Sequence, residues 1–155
     1  MRRLFACLGI LLGLLVAGFA LIQVIPYGRS HANPPVVKEP AWDSPTTRTL
    51  AQRACFDCHS NETIWPWYTN VAPVSWLTQR DVDEGRRRLN FSDWNGLRGG
   101  GEGGGEGEGR SGNEMSRVIE RGSMPPWYYV LIHPNAALTD PEKQQLITGL
   151  QNSLK

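Results

Sequence analysis

Cys55-Phe56-Asp57-Cys58-His59 sets two thiols, two residues apart, directly before an imidazole. That spacing suits covalent haem attachment: each thiol can form a thioether to one vinyl group, and the adjoining imidazole can ligate the iron. Three other chemistries use parts of the pattern. A thioredoxin-like pair follows a strand within a βαβ arrangement, and no strand-like alternation precedes Cys55. A zinc site needs four ligands, but the remaining cysteine is Cys7, in an apolar N-terminus, and His31 and His133 stand alone. A Cys55–Cys58 disulfide could form in an oxidising compartment and precede attachment. The motif favours one covalent haem c, bound at Cys55 and Cys58 with His59 as axial iron ligand.

An electron-transferring iron needs a second protein ligand. Met124 lies just beyond a helix stop at Gly122 and before Pro125-Pro126, so a rigid loop would present its thioether. His133, followed by Pro134, is the rival ligand. Flat apolar side chains should exclude water from the porphyrin, and Trp65, Trp67 and Trp127 are the candidates. Trp127 opens the apolar run Trp127-Tyr128-Tyr129-Val130-Leu131-Ile132, expected to cover the haem or the core. Arg86-Arg87-Arg88 could meet propionates or a partner but reads as a solvated face. No dedicated acid–base pair stands out, which points to a carrier rather than a catalyst.

The elements that position these residues follow from local signals. Ser44-Pro45 caps a helix over 46–54, with Leu50, Ala51 and Ala54 on one face, delivering the chain into Cys55. Residues 61–68, broken by Pro66, form a loop. A second helix covers 74–89, with Val74, Leu77, Val82 and Leu89 as its apolar positions, and Phe91 and Trp94 turn inward after it. The glycine-rich stretch 99–112 is expected to be a flexible loop. Asn113 then caps a short helix to 121, with Met115, Val118 and Ile119 on its buried side. Thr139-Asp140-Pro141-Glu142 is a capping-box start for a last helix that buries Leu146, Ile147, Leu150 and Leu154.

The 155 residues carry a formal net charge of +1, and the part beyond Arg29 is slightly acidic, so nothing recommends nucleic acid as a partner. Residues 4–25 are apolar apart from Gln23 and exceed the roughly 20 residues needed to span a bilayer. A cleaved signal has a shorter core; Ser30-His31-Ala32 could serve as a cleavage site, but the length favours a retained anchor over 1–25. A lipobox at Cys7 lacks a preceding apolar run. Arg2 and Arg3 should stay in the cytoplasm, leaving the rest outside. Pro26, Pro34, Pro35 and Pro40 make 26–43 a stiff tether in which His31 is solvated without a role, and 44–155 form the domain.

With these residues in view, the chain resembles the bacterial haem-binding domain family. The resemblance rests on Cys55 to Thr63, Trp65-Pro66-Trp67-Tyr68, Ala72-Pro73-Val74-Ser75-Trp76, Leu89-Asn90-Phe91-Ser92 and Met124-Pro125-Pro126, with His133-Pro134 and Leu138-Thr139-Asp140 also familial. It implies haem at Cys55, Cys58 and His59, and an association with c-type cytochromes and di-haem peroxidase-like proteins as redox partners. The expected fold is all-α and cytochrome-c-like, with the haem completing a marginal core of about 100 residues. The expected function is one-electron transfer by a protein held in the bacterial inner membrane, its domain in the periplasm. The alternative is a haem-based redox or gas sensor.

Overall fold

The computed structural model describes residues 1–94 and 108–153. Among these, regular structure is helical: α1 (Arg2–Ile22), α2 (Pro45–Ala54), α3 (Phe56–His59), α4 (Val74–Arg88), α5 (Glu108–Glu120), α6 (Trp127–Ile132) and α7 (Asp140–Ser153), with 3-10 turns at Trp67–Asn70 and Pro134–Ala136. An isolated bridge joins Lys38 to Asp93. The chain divides into two compact units, Met1–Ala32 with Trp65–Asp81, and Asn33–Ile64 with Val82–Lys155.

In the first unit, α1 is apolar on all sides and buries none of its residues, as a membrane-spanning helix would. Beyond it, the Gln23 side chain grips the backbone of Ala72, donating to its carbonyl at 2.9 Å and accepting from its amide at 3.0 Å. His31 departs from the expectation of a solvated side chain. Its ring stacks on Trp65 with centroids 4.7 Å apart, and its Nε2 lies 3.1 Å from the Thr69 carbonyl. The local sequence contains no partner for it, and the fold supplies one 34 residues away.

The second unit has its core where α2, α3, α5 and α7 meet. Leu50, Ala51, Phe56, Ile119, Leu146, Ile147 and Leu150 are buried there with Phe91 and Trp94. Phe91 is the hub, with Trp42, Phe56 and Trp94 ring centroids 5.4, 5.5 and 6.0 Å away. Capping follows the sequence: the Ser44 hydroxyl accepts from the Thr47 amide, and Glu142 accepts from the Thr139 amide at 2.8 Å. Gly149 lets α7 lie on α2, since a Cβ there would collide with the Thr47 side chain.

Four expectations need revision. Residues 33–42 of the anticipated tether are bound into this unit: Asn33 donates to the Thr63 carbonyl, the Val37 amide to Ser92 and the Trp94 amide to Lys38, at 2.8 to 2.9 Å. A proline-rich stretch makes no hydrogen bonds of its own, so its backbone groups are available to neighbours. In α4, Val82 and Leu89 turn inward as expected, but Val74 and Leu77 are exposed and Ser75 is buried instead. The glycine-rich stretch is cut by α5, which starts at Glu108, so Asn113 lies inside the helix and does not cap it; the remainder of the expected loop, 99–107, lies outside the described residues, as does Leu154. Finally, Arg86 is not a solvated cation. Its guanidinium donates to the Ser60 carbonyl at 2.7 Å and to Asn33 Oδ1 and Thr63 Oγ1 at 2.9 Å. Arg87 and Arg88 are exposed.

Candidate functional site

The Cys-x-x-Cys-His segment is a single helical turn. Both the Cys58 and the His59 amides donate to the Cys55 carbonyl, at 3.1 and 2.8 Å. Cys55 is the C-cap of α2, so that helix determines where the first thiol stands. Phe56 anchors the turn by pointing into the core, while Cys55, Cys58 and His59 are half-buried. Both cysteines are thiols in this structure. Burial, with the Cys58 thiol beside it, pushes Cys55 up to about 12. A redox-active Cys-x-x-Cys pair needs a lowered thiol pKa, so this environment speaks against thioredoxin-like exchange.

His59 is oriented from α4. Its Nδ1 is 3.0 Å from the Gly85 carbonyl and 3.1 Å from the Leu89 carbonyl. Carbonyl oxygens only accept, so Nδ1 carries the proton and Nε2 keeps its lone pair, the tautomer a metal-ligating histidine requires. Burial also holds the His59 pKa below the usual imidazole range, keeping the ring neutral; the two carbonyl bonds oppose that shift and Arg88 adds to it. Gly85 makes the approach possible. A Cβ on it would run into the Cys58 carbonyl, whose carbon lies 2.8 Å from that position. A glycine within a helix is the sequence signal that could have revealed such a contact.

Behind the motif a polar network fastens the next residues. The Phe91 amide donates to the His59 carbonyl at 2.8 Å, the Asn61 amide to Ser92 Oγ at 2.9 Å, and Asn90 Nδ2 to Asn61 Oδ1 at 2.9 Å. Together with Gly85 and Arg86, these are positioning residues that pattern reading missed. For Asn61, Asn90 and Ser92 the signal was present, as polar residues inside the blocks 60–63 and 89–92.

Of the downstream residues, Tyr129 touches the motif itself. Its hydroxyl donates to the Asp57 carboxylate at 2.5 Å, tying α6 to the Cys-x-x-Cys-His turn. Gly122 ends α5 at positive φ: its amide bonds Ile119, and those of Ser123 and Met124 bond Val118. Met124 is therefore held by its backbone with its side chain partly exposed. His133 stacks on Tyr129 at 4.1 Å with Nδ1 3.1 Å from the Tyr129 carbonyl. Trp65 and Trp67 belong to the first unit, Trp65 engaged with His31 and Trp67 exposed. Trp127 is on α6.

α6 is six apolar or aromatic residues, and none is buried. Trp127 and Leu131, one turn apart, are 76 % and 73 % exposed. An apolar helix fastened to the motif and left outside the core suits a large flat apolar group, and so do the two thiols and the His59 tautomer. Over residues 17–152 the sequence matches the model of the haem-binding domain family. The chain belongs to that family. Haem is thus the cofactor these residues fit. No curated protein and no solved structure matches the chain.

Proposed function

We propose that this haem-binding domain is a membrane-anchored c-type cytochrome that transfers single electrons in the periplasm. Cys55 and Cys58 would hold the haem, each through one thioether, its sulfur bonded to one vinyl carbon and the thiol hydrogen taken up by the other. His59 would hold the iron through Nε2, and Met124 would supply a thioether as its second protein ligand. A haem held there would supply a one-electron Fe(III)/Fe(II) couple, and ligation by methionine would raise its potential. Trp127 and Leu131, both exposed on α6, would shield its apolar face from water. The observation that carries the reading is the double carbonyl contact of His59 Nδ1, which keeps the Nε2 lone pair available for a metal, one residue from Cys58 and four from Cys55. α1, with Arg2 and Arg3 on the cytoplasmic side, anchors the chain with the haem unit outside.

The test is expression with a haem-attachment system, haem staining of a denaturing gel, and an absorption spectrum of the reduced protein. A stained band with sharp low-spin peaks is expected. A high-spin spectrum with rapid stoichiometric CO binding would overturn electron transfer in favour of a sensor. Absence of stain in a strain that matures a control cytochrome would overturn covalent attachment.

A further inference from the structure

The first unit carries a surface that the haem chemistry does not use. Residues 4–28 and 65–79 contain no charged side chain, and charge resumes on either side at Arg29 and at Arg80-Asp81. At about 1.5 Å per residue the 21 residues of α1 rise about 32 Å, matching a hydrocarbon core of roughly 30 Å. Gln23, the first residue after α1, therefore stands at the edge of that core.

Three contacts hold 65–77 at this level. Gln23 bonds both backbone groups of Ala72, and Arg29 Nη2 donates to the same Gln23 oxygen at 3.2 Å. Gly28, at φ +81°, lies so close to the Ser75 carbonyl that no side chain fits between them. The 3-10 turn Trp67–Asn70 is pinned by Thr69, fully buried, with its carbonyl 3.1 Å from His31. That turn leaves Trp67 79 % exposed, and Val24, Tyr27, Val74 and Leu77 are exposed within five residues of a residue bonded to the end of α1.

We propose that the first unit docks on the lipid bilayer through this charge-free apolar surface, with Trp67 in the interfacial layer beside the end of α1. Tryptophan and tyrosine favour that layer, where an apolar ring meets water and headgroups. Continuity with α1 selects lipid over a protein partner. Arg29, at the rim, suits anionic headgroups. The proposal rests on α1 being a retained anchor, and it assigns Trp67 to the bilayer rather than to the haem pocket.

The test reconstitutes the full chain in phosphatidylcholine–phosphatidylglycerol vesicles containing a phosphatidylcholine with a diazirine high on its acyl chain. After irradiation, lipid adducts are mapped by mass spectrometry. Adducts on both α1 and residues 65–79, with the latter lost in Trp67→Ser and the former retained, are expected. Adducts confined to α1 in the wild type overturn the docking surface while the anchor stands. Adducts on 65–79 that persist in Trp67→Ser overturn the role of Trp67. A chain that washes off the vesicles, with no adduct on α1, overturns the anchor and the docking surface together.

Discussion

The Tyr129 hydroxyl hydrogen-bonds the Asp57 carboxylate at 2.5 Å across 72 residues of sequence, tying α6 to the middle of the Cys-x-x-Cys-His turn. A hydrogen bond to an ionised acceptor contributes about 1.5–3 kcal/mol. Tyr129→Phe should therefore lower the stability of the haem-loaded protein by about that amount and leave haem staining intact. Chemical denaturation followed at the Soret band measures it. A midpoint equal to that of the wild type would show that the bond does not hold α6.

Gly85 lets α4 reach the carbonyl of Cys58, and Gly85 together with Leu89, the residue just after α4, presents the two carbonyls to His59. Gly85→Ala should shift that helix, costing about 1–3 kcal/mol as overpacking does and weakening the hold on Nδ1. The expected outcome is a lower unfolding midpoint and a smaller yield of low-spin haem. Wild-type values for both would refute the close-packing account.

Met124 and His133 are the two candidate sixth ligands. Met124→Ala should abolish the charge-transfer band of a methionine–iron(III) bond and lower the reduction potential, by on the order of 100 mV within the roughly 0.8 V range that axial ligands span. His133→Ala should leave both unchanged. The reverse pattern would exchange the assignments.

Glu142 makes the start of α7 sensitive to acid. The Thr139 amide first, then the Arg53 guanidinium and the Thr139 hydroxyl, hold its carboxyl at about 2, below its ordinary 4.5. Between those values the unfolded chain binds the extra proton. The stabilisation is therefore complete above about pH 4.5 and lost as pH falls toward 2. In thermal melts across pH 2–7, Glu142→Gln should be less stable than the wild type at neutral pH and converge with it at the acid end. Parallel curves would exclude the linkage.

α6 buries none of its side chains, whereas the Leu50–Phe91–Leu146 core is closed by protein alone. In the haem-free Cys55→Ala/Cys58→Ala chain, the amides of Trp127–Ile132 should exchange with deuterium fast while α2 and α7 stay protected. Uniform exchange would mean that haem organises the whole unit.

Features that depend on a few neighbouring residues were legible in the sequence by itself. The Cys-x-x-Cys-His spacing, the Ser44 cap, the Thr139–Glu142 capping box, the Gly122 stop and the buried stripe of α7 are each determined within about one or two helical turns, where backbone geometry fixes which groups meet. Only the tertiary structure decided the rest, because the partners are remote. His31 finds Trp65, Arg86 finds Asn33 and Ser60, Gly85 finds Cys58, and Tyr129 finds Asp57, over separations of 26 to 72 residues. Glycine's poor helix propensity hid the start of α5 for a related reason. For glycine that local penalty is about 1 kcal/mol per residue relative to alanine, and packing of α5 on α7, with Ile119 in the core, outweighs it.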